Sequence, residues 1–162
     1  ALLPKIERTG LSLITEPGRF LIGNAGVLLA RVMHRKKAGG KAYIITDAGM
    51  NDLVRPSNYD AYHAVEAVQP REGRSVVDVV GPVCESGDFF ALDREVENVE
   101  SGDLVVVRTT GAYGYVMSFN YNARPRVAEV LVDGDRFAVV TRRERYEDLV
   151  RLEPERPDWR TA

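Results

Sequence analysis

The sequence predicts a mainly β fold: a closed or Greek-key-like barrel domain, preceded by the last strand and helix of an α/β layer. Short runs rich in Val, Ile, Tyr and Thr recur from Lys41 onward, as in a barrel of short strands. Gly, Pro and Asp punctuate them, as at Gln69-Pro70-Arg71-Glu72-Gly73 and Asp133-Gly134-Asp135. The first 32 residues have a different texture, with one apolar run followed by a longer mixed one. At 162 residues the chain is long enough for one ordinary core.

Taken in order, Leu11–Thr15 is an apolar run ending at Glu16-Pro17-Gly18, which suits a buried strand that stops at a site. Phe20 to Val32 reads as a helix, although Gly23 and Gly26 each weaken it by about 1 kcal/mol relative to alanine. His34–Gly40 is a polar, hairpin-like connection. Strands are expected at Lys41–Thr46, Tyr62–Val68, Ser75–Val80, Leu104–Thr110, Arg126–Val132 and Arg136–Arg142. Asp133-Gly134 between the last two is a hairpin signal. Tyr146–Leu152 suits a short terminal helix, and Glu153–Ala162 a charged tail of low order. Glu-Ser-Gly-Asp occurs twice, at Glu85–Asp88 and Glu100–Asp103, as a recurring turn device.

Composition narrows the function class. A hydrophobic fraction of 44% with 28% charged residues fits a globular protein, and a net charge of −2 with mixed signs argues against a nucleic-acid surface. Arg142-Arg143-Glu144-Arg145 is locally positive and is assigned to a solvated face. No apolar stretch reaches a membrane span. One cysteine forbids an internal disulfide, so the cytoplasm is the expected location. Ala1-Leu2-Leu3-Pro4 is not an initiator sequence, and the tail of a longer protein or a trimmed product is expected.

Four clusters carry candidate chemistry. In Glu16-Pro17-Gly18-Arg19, Gly18 lets backbone approach an anion, and Arg19 adds a planar fork suited to phosphate or carboxylate. A carboxylate at a strand end needs a partner; the plain alternative is a Glu16–Arg19 salt bridge. In Asp47–Tyr59, Pro56 suits a first helical position, and a helical turn would bring Arg55 and Tyr59 to one face. A packed tyrosine beside an exposed arginine is the competing explanation. Gly81–Asp88 holds the single cysteine, Cys84, beside Glu85 on a loop between strands. In Gly111-Ala112-Tyr113-Gly114, small neighbours leave the Tyr113 hydroxyl unscreened, as a ligand contact or as a core aromatic. Tyr115–Asn122 is wall and interface material. His34 and His63 lack metal-ligand spacing and receive no role.

Together, Glu16–Arg19, Asp47–Asn51, Arg55-Pro56 with Tyr59, Gly81–Asp88 and Gly111-Ala112-Tyr113 closely resemble the diaminopimelate decarboxylases, pyridoxal-phosphate enzymes of the alanine-racemase-like class. The resemblance reaches to about Val140, with Cys-Glu-Ser-Gly-Asp its most specific element. It implies that residues 1–32 close a β/α (TIM-type) barrel that binds pyridoxal 5'-phosphate, that 33–152 form the C-terminal β domain, and that 153–162 are a tail. It implies decarboxylation of meso-2,6-diaminopimelate to L-lysine and carbon dioxide, in a homodimer with shared sites.

By matching position, Glu16 would contact the cofactor's pyridine nitrogen. Pro17, Gly18, Arg19 and Tyr113 complete the implied cofactor contacts. Arg19, Arg55, Tyr59, Glu85 and Tyr113 would bind substrate: Arg55 and Tyr59 its carboxylate, Glu85 its ammonium. Cys84 would return a proton to the reacting carbon of the neighbouring subunit. The family's cofactor-bearing lysine belongs to barrel strands before this sequence, and Lys5, Lys36, Lys37 and Lys41 sit in no matching context. This chain alone is therefore expected to be inactive without its N-terminal barrel portion. Ornithine or arginine decarboxylases of the same fold are the first alternative; they carry aspartate after the cysteine, where this chain has Glu85. A non-catalytic β-domain dimerisation module is the second.

Overall fold

The computed structural model describes residues 2–160. Among the described residues, eight strands form two sheets. β1 (Leu28–Ala38) and β2 (Lys41–Thr46) form a long antiparallel hairpin, turned by Gly39 and Gly40 at φ of 58° and 81°. Such left-handed pairs are what a two-residue hairpin turn demands. β3 (Val65–Ala67), β4 (Arg74–Val80), β5 (Phe89–Glu97) and β6 (Leu104–Val107) complete the main sheet in the order β3-β6-β1-β2-β4-β5. All neighbours are antiparallel except β2 and β4.

The sheet curls until its two edges meet. Glu97 of β5 accepts a hydrogen bond from the Ala67 amide of β3 at 3.4 Å, and Arg94 donates to the His63 carbonyl at 3.2 Å. The mainly β, barrel-like architecture expected from the sequence is therefore present. Its interior is packed by Val32, Ile44, Leu53, Val79, Phe90 and Val105, each at most 2% exposed. β7 (Glu129–Asp133) and β8 (Arg136–Thr141) form the expected hairpin apart from this sheet, with Gly134 at φ 61° in the turn. Val132, Phe137 and Val140 on this hairpin are exposed.

Four short helices accompany the sheets: α1 (Leu3–Glu7), α2 (Arg19–Ile22), α3 (Arg55–Tyr59) and α4 (Tyr146–Val150). α3 and α4 fall where the sequence placed them, and α1 was not anticipated.

Three expectations are corrected. Leu11–Thr15 forms no strand; Leu11, Leu13 and Ile14 are exposed and no ladder runs beside them. An apolar run becomes a strand only when a neighbour satisfies its backbone. The expected helix from Phe20 to Val32 ends at Ile22, passes through a 3-10 turn at Gly23–Ala25, and becomes strand at Leu28. From there burial alternates, with Ala30 and Val32 inside and Leu29, Arg31 and Met33 outside, a period of two rather than 3.6. β1 thus passes through residue 32, the expected boundary between barrel and sheet domain. His34–Ala38, expected in a connection, continues that strand. β5 was missed because its charges and a left-handed residue, Asp93 at φ 47°, break the alternation.

Phe90 is the largest wholly buried side chain, so Phe90→Ala should cost about 3–5 kcal/mol of stability. A shift in the thermal or urea midpoint measures it. A loss below about 1 kcal/mol would show that the barrel is not packed around this ring.

Candidate functional site

The site is assembled where glycines let backbone touch backbone. A Cβ on Gly26 would lie 2.5 Å from the Gly111 Cα, and one on Gly111 would overlap the Ile22 carbonyl. Thr110 N–H donates to the Gly26 carbonyl at 2.9 Å and Gly111 N–H to that of Gly23 at 3.0 Å. This crossing brings Gly18-Arg19 against the 109–114 loop. The Tyr113 hydroxyl lies 3.6 Å from where a Gly18 Cβ would stand. Arg19 packs its Cγ over Gly23, whose other neighbour is the Thr109 methyl. Thr109 and Tyr113 hold φ of 62° and 58°, a costly conformation for a β-branched and an aromatic residue.

α3 supplies the second part. Its Pro56 pre-sets the helical φ, and Asp60, left-handed at φ 50°, closes the helix through a bond to the Arg55 carbonyl. The one-turn spacing expected of Arg55 and Tyr59 is realised: the Arg55 guanidinium carbon is 5.7 Å from the Tyr59 ring centroid, and equally 5.7 Å from that of Tyr113. Arg55 therefore sits between two aromatic faces, a favourable place for a cation.

His63, given no role from sequence, is 1% exposed beside this group. Its Nδ1 contacts the Arg108 carbonyl at 2.8 Å, which makes Nδ1 the protonated nitrogen and leaves Nε2 a bare acceptor. Among the described residues, Arg19 Nε, Arg55 Nε and His63 Nε2 are buried without a hydrogen-bond partner. A buried polar group left unpaired costs about 1–3 kcal/mol, and two of these three, the arginine Nε–H groups, are donors beside Gly18 and Tyr113. Such a clamp suits the oxygens of a phosphate or carboxylate. Pyridoxal phosphate carries such an anion, so these residues fit the group that the resemblance implies.

The remaining sequence-selected residues lie elsewhere. Glu16 and Pro17 are exposed, and Glu16 forms no ion pair with Arg19 among the described residues. Cys84 and Glu85 are exposed on the loop between β4 and β5. Glu85 accepts from the Gly87 amide at 3.3 Å and meets the Tyr121 hydroxyl at 3.5 Å. A Cβ on Gly87 would come 2.6 Å from Ser57 Oγ, so this loop abuts α3. Ser57 is about 200° around the helix from Arg55, at 100° per residue. The thiol loop and the clamp therefore occupy opposite faces of α3.

Two buried carboxylates frame the 47–54 segment that leads into α3. Asp52 accepts from the Gly49 amide at 2.9 Å, and Asp88 from the Met50 amide at 2.6 Å; burial raises the pKa of both. Arg124, also unforeseen, donates to Asn51 Oδ1 at 3.0 Å and to the Asp47 carbonyl at 2.6 Å. The one sequence signal for His63 was its place two residues before Val65 in an inward-facing alternation. Arg124 gave none, because its partners are distant in sequence, and Asp88 stood in the Gly81–Asp88 motif only as a turn residue.

Residues 19–111 match the family described as pyridoxal-dependent decarboxylase, C-terminal sheet domain, and the chain belongs to that family. A diaminopimelate decarboxylase of Aquifex aeolicus (strain VF5) is 50% identical over 146 residues, 90% of this chain and 35% of that protein. A crystal structure from Aquifex aeolicus superposes with TM-score 0.85 at 47% identity, covering 95% of this chain and 38% of that one. The crystal structure of diaminopimelate decarboxylase from Helicobacter pylori complexed with L-lysine gives TM-score 0.81 at 43% identity, covering 93% and 37%. The chain thus spans about a third of the length of the curated relatives it matches.

Burial lowers the pKa of His63 from 6.5, and the positive charges of Arg55 and Arg19 push in the same direction. As pH falls through about 6.5 the unfolded chain takes up this proton and the folded chain resists it, so stability is lost below that pH. Wild type should therefore lose stability faster than His63→Gln between about pH 6.5 and 5. Thermal unfolding of both proteins across that window reads the difference, and parallel curves would count against it.

Proposed function

We propose that the complete polypeptide is a pyridoxal-phosphate enzyme that decarboxylates meso-2,6-diaminopimelate to L-lysine, the last step of lysine biosynthesis. This chain is its C-terminal portion. The observation that carries this is the clamp of Arg19, Arg55 and Tyr113 over Gly18, with two buried Nε–H groups awaiting an acceptor. The relatives named diaminopimelate decarboxylase supply the substrate class. In this reading residues before β1 belong with an N-terminal β/α barrel, and the exposed Leu13, Ile14, Phe20 and Leu21 face it. The enzyme works as a cytoplasmic homodimer.

Gly18, Arg19 and Tyr113 would hold the cofactor phosphate, because the glycine leaves room and both side chains donate. Glu16 would keep a proton on the ring nitrogen. When bound, pyridoxal phosphate supplies an electron-accepting ring for the bond pair left as carbon dioxide departs. Arg55 and Tyr59, with Arg19, orient the substrate carboxylate. Glu85 takes the ammonium at the far end. Cys84 gives a proton to the carbon that has lost its carboxylate, acting as general acid. An interaction module would need neither the unpaired arginines nor the strained Tyr113.

The test is an assay of the complete enzyme for carbon dioxide release from diaminopimelate, ornithine and arginine. Diaminopimelate should be favoured in kcat/KM by roughly 10⁴-fold, as expected when a site's buried polar groups are left unpaired by the wrong substrate. A preference for ornithine or arginine would overturn the reading. Cys84→Ala should slow turnover by roughly 10²-fold and leave the cofactor absorbance unchanged. An unaltered rate would remove the proton-donor role.

A further inference from the structure

We propose that Asp88 is a positioning residue for catalysis: its carboxylate pins the Cys84–Glu85 loop to the segment that carries the substrate-carboxylate clamp. The proposal rests on the function proposed above.

Both oxygens of this carboxylate are engaged across two loops. Oδ1 accepts from the Met50 amide at 2.6 Å, and Oδ2 from the Val83 amide at 2.5 Å. The backbone of Asp88 closes the same loop, its N–H bonding the Glu85 carbonyl at 3.0 Å and its carbonyl accepting from Gly81 at 3.1 Å. The seat is made by two glycines. A Cβ on Gly81 would stand 2.5 Å from both carboxylate oxygens and 2.5 Å from the Gly49 Cα, and one on Gly49 would lie 2.9 Å from Oδ1. Asp88 is 5% exposed, whereas Cys84 and Glu85, four and three residues before it, are exposed. The reactive groups thus hang in the open from a buried anchor.

The second Glu-Ser-Gly-Asp copy shows what is particular to the first. There Asp103 bonds the Glu100 amide at 2.7 Å and pairs with Arg71 at 2.7 Å near the surface, which lowers its pKa to about 2. That aspartate reaches another loop only through the side chain of a half-exposed arginine, and takes no backbone amide from that loop. In the first copy the aspartate is turned inward, where burial disfavours its charge and the amides of Met50 and Val83, with the charge of Arg124, compensate only in part. A carboxylate kept at such a cost fits a positional duty better than a turn-forming one.

The anchor acts on one side only. The 47–54 segment has other ties: Asp52 to Gly49, Arg124 to Asn51 and Asp47, and the Asn51 carbonyl accepting from Phe119 at 3.0 Å. Losing the Asp88 bonds should leave Arg55 and Tyr59 in place and let Cys84 and Glu85 drift. A displacement of about 1 Å at a proton donor is enough to cost on the order of 10²-fold in rate.

The experiment uses the complete enzyme. Asp88→Asn keeps the shape of the side chain and turns one acceptor into a donor facing an amide. Its kcat should fall on the order of 10²-fold, with the affinity for pyridoxal phosphate, read by absorbance titration, within about twofold of wild type. Hydrogen exchange should quicken in the peptide spanning 82–88 and stay unchanged in that spanning 53–59. An unchanged kcat overturns the proposal, and so does a parallel loss of kcat, cofactor affinity and 53–59 protection. Should the variant fail to fold, wild type decides: peptide 82–88 must be protected from exchange, and complete exchange at the earliest time point overturns the proposal. A wild-type enzyme that binds cofactor but does not decarboxylate diaminopimelate refutes the proposed function instead, while exchange still tests the anchor.

Discussion

Contact of main chain with main chain at paired glycines is the constraint from which the rest of this molecule follows. Gly26 meets Gly111, and Gly49 meets Gly81: a Cβ on Gly26 would fall 2.5 Å from the Gly111 Cα, and one on Gly81 2.5 Å from the Gly49 Cα. At these two positions the obstructing atoms include peptide backbone, so the crowding cannot be relieved by a rotamer change alone. The first pair fixes the turn bearing Arg19 against the loop bearing Tyr113. The second fixes the loop bearing Cys84 against the approach to α3. Neither contact contributes much apolar burial. Their effect is to set where the loops bearing Arg19, Tyr113 and Cys84 start.

What the clamp does follows from electrostatics. Arg19 and Arg55 bury Nε–H groups that find no acceptor, and neither forms an ion pair among the described residues. A carboxylate supplied by the fold would quench both, as Glu144 does for Arg126 at 2.8 Å elsewhere on the surface. Here the neighbours are instead phenols and a neutral imidazole, groups that tolerate cations without neutralising them. The unpaired Nε–H groups and the left-handed φ of Thr109 and Tyr113 each cost on the order of 1–3 kcal/mol. An acceptor reaching those Nε–H groups would relieve their share of that cost.

The sequence disclosed the elements whose causes are local. β2, β4, β8 and the β7–β8 turn are set by β-branched runs and by Asp-Gly, and α3 by Pro56, all legible at short range. The Arg55–Tyr59 pairing was legible for the same reason, since helix geometry alone puts them together. The failures share one cause as well. Phe20–Val32 was misread because Gly23 and Gly26 are there for a partner 85 or more residues away, and Leu28–Val32 belongs to a sheet whose other strands lie far along the chain. His63 was unreadable because its significance comes from Arg108, Arg55 and Arg19, none of them adjacent. The motifs resembling a known family singled out loops, yet could not say which of them face each other.

The opposite placement of the clamp and the thiol loop bears on how one chain could serve the proposed reaction. A proton donor must come within about 3 Å of the atom it serves. Cys84 lies on a loop whose ties run to Met50 and to Ser57, on the side of α3 away from Arg55 and Tyr59. Swinging it around that helix would break the Asp88 seat and the Gly49–Gly81 contact together, the most tightly determined pieces of backbone in the region. A rigid, exposed acid–thiol pair beside a rigid, separate anion clamp is therefore poorly suited to closing on itself. It is well suited to meeting the clamp of a second copy, because an isologous pair presents each loop to the other's site at no cost in internal strain. Asp88 would then hold together two active sites, by fixing the side chains one chain keeps relative to those it lends.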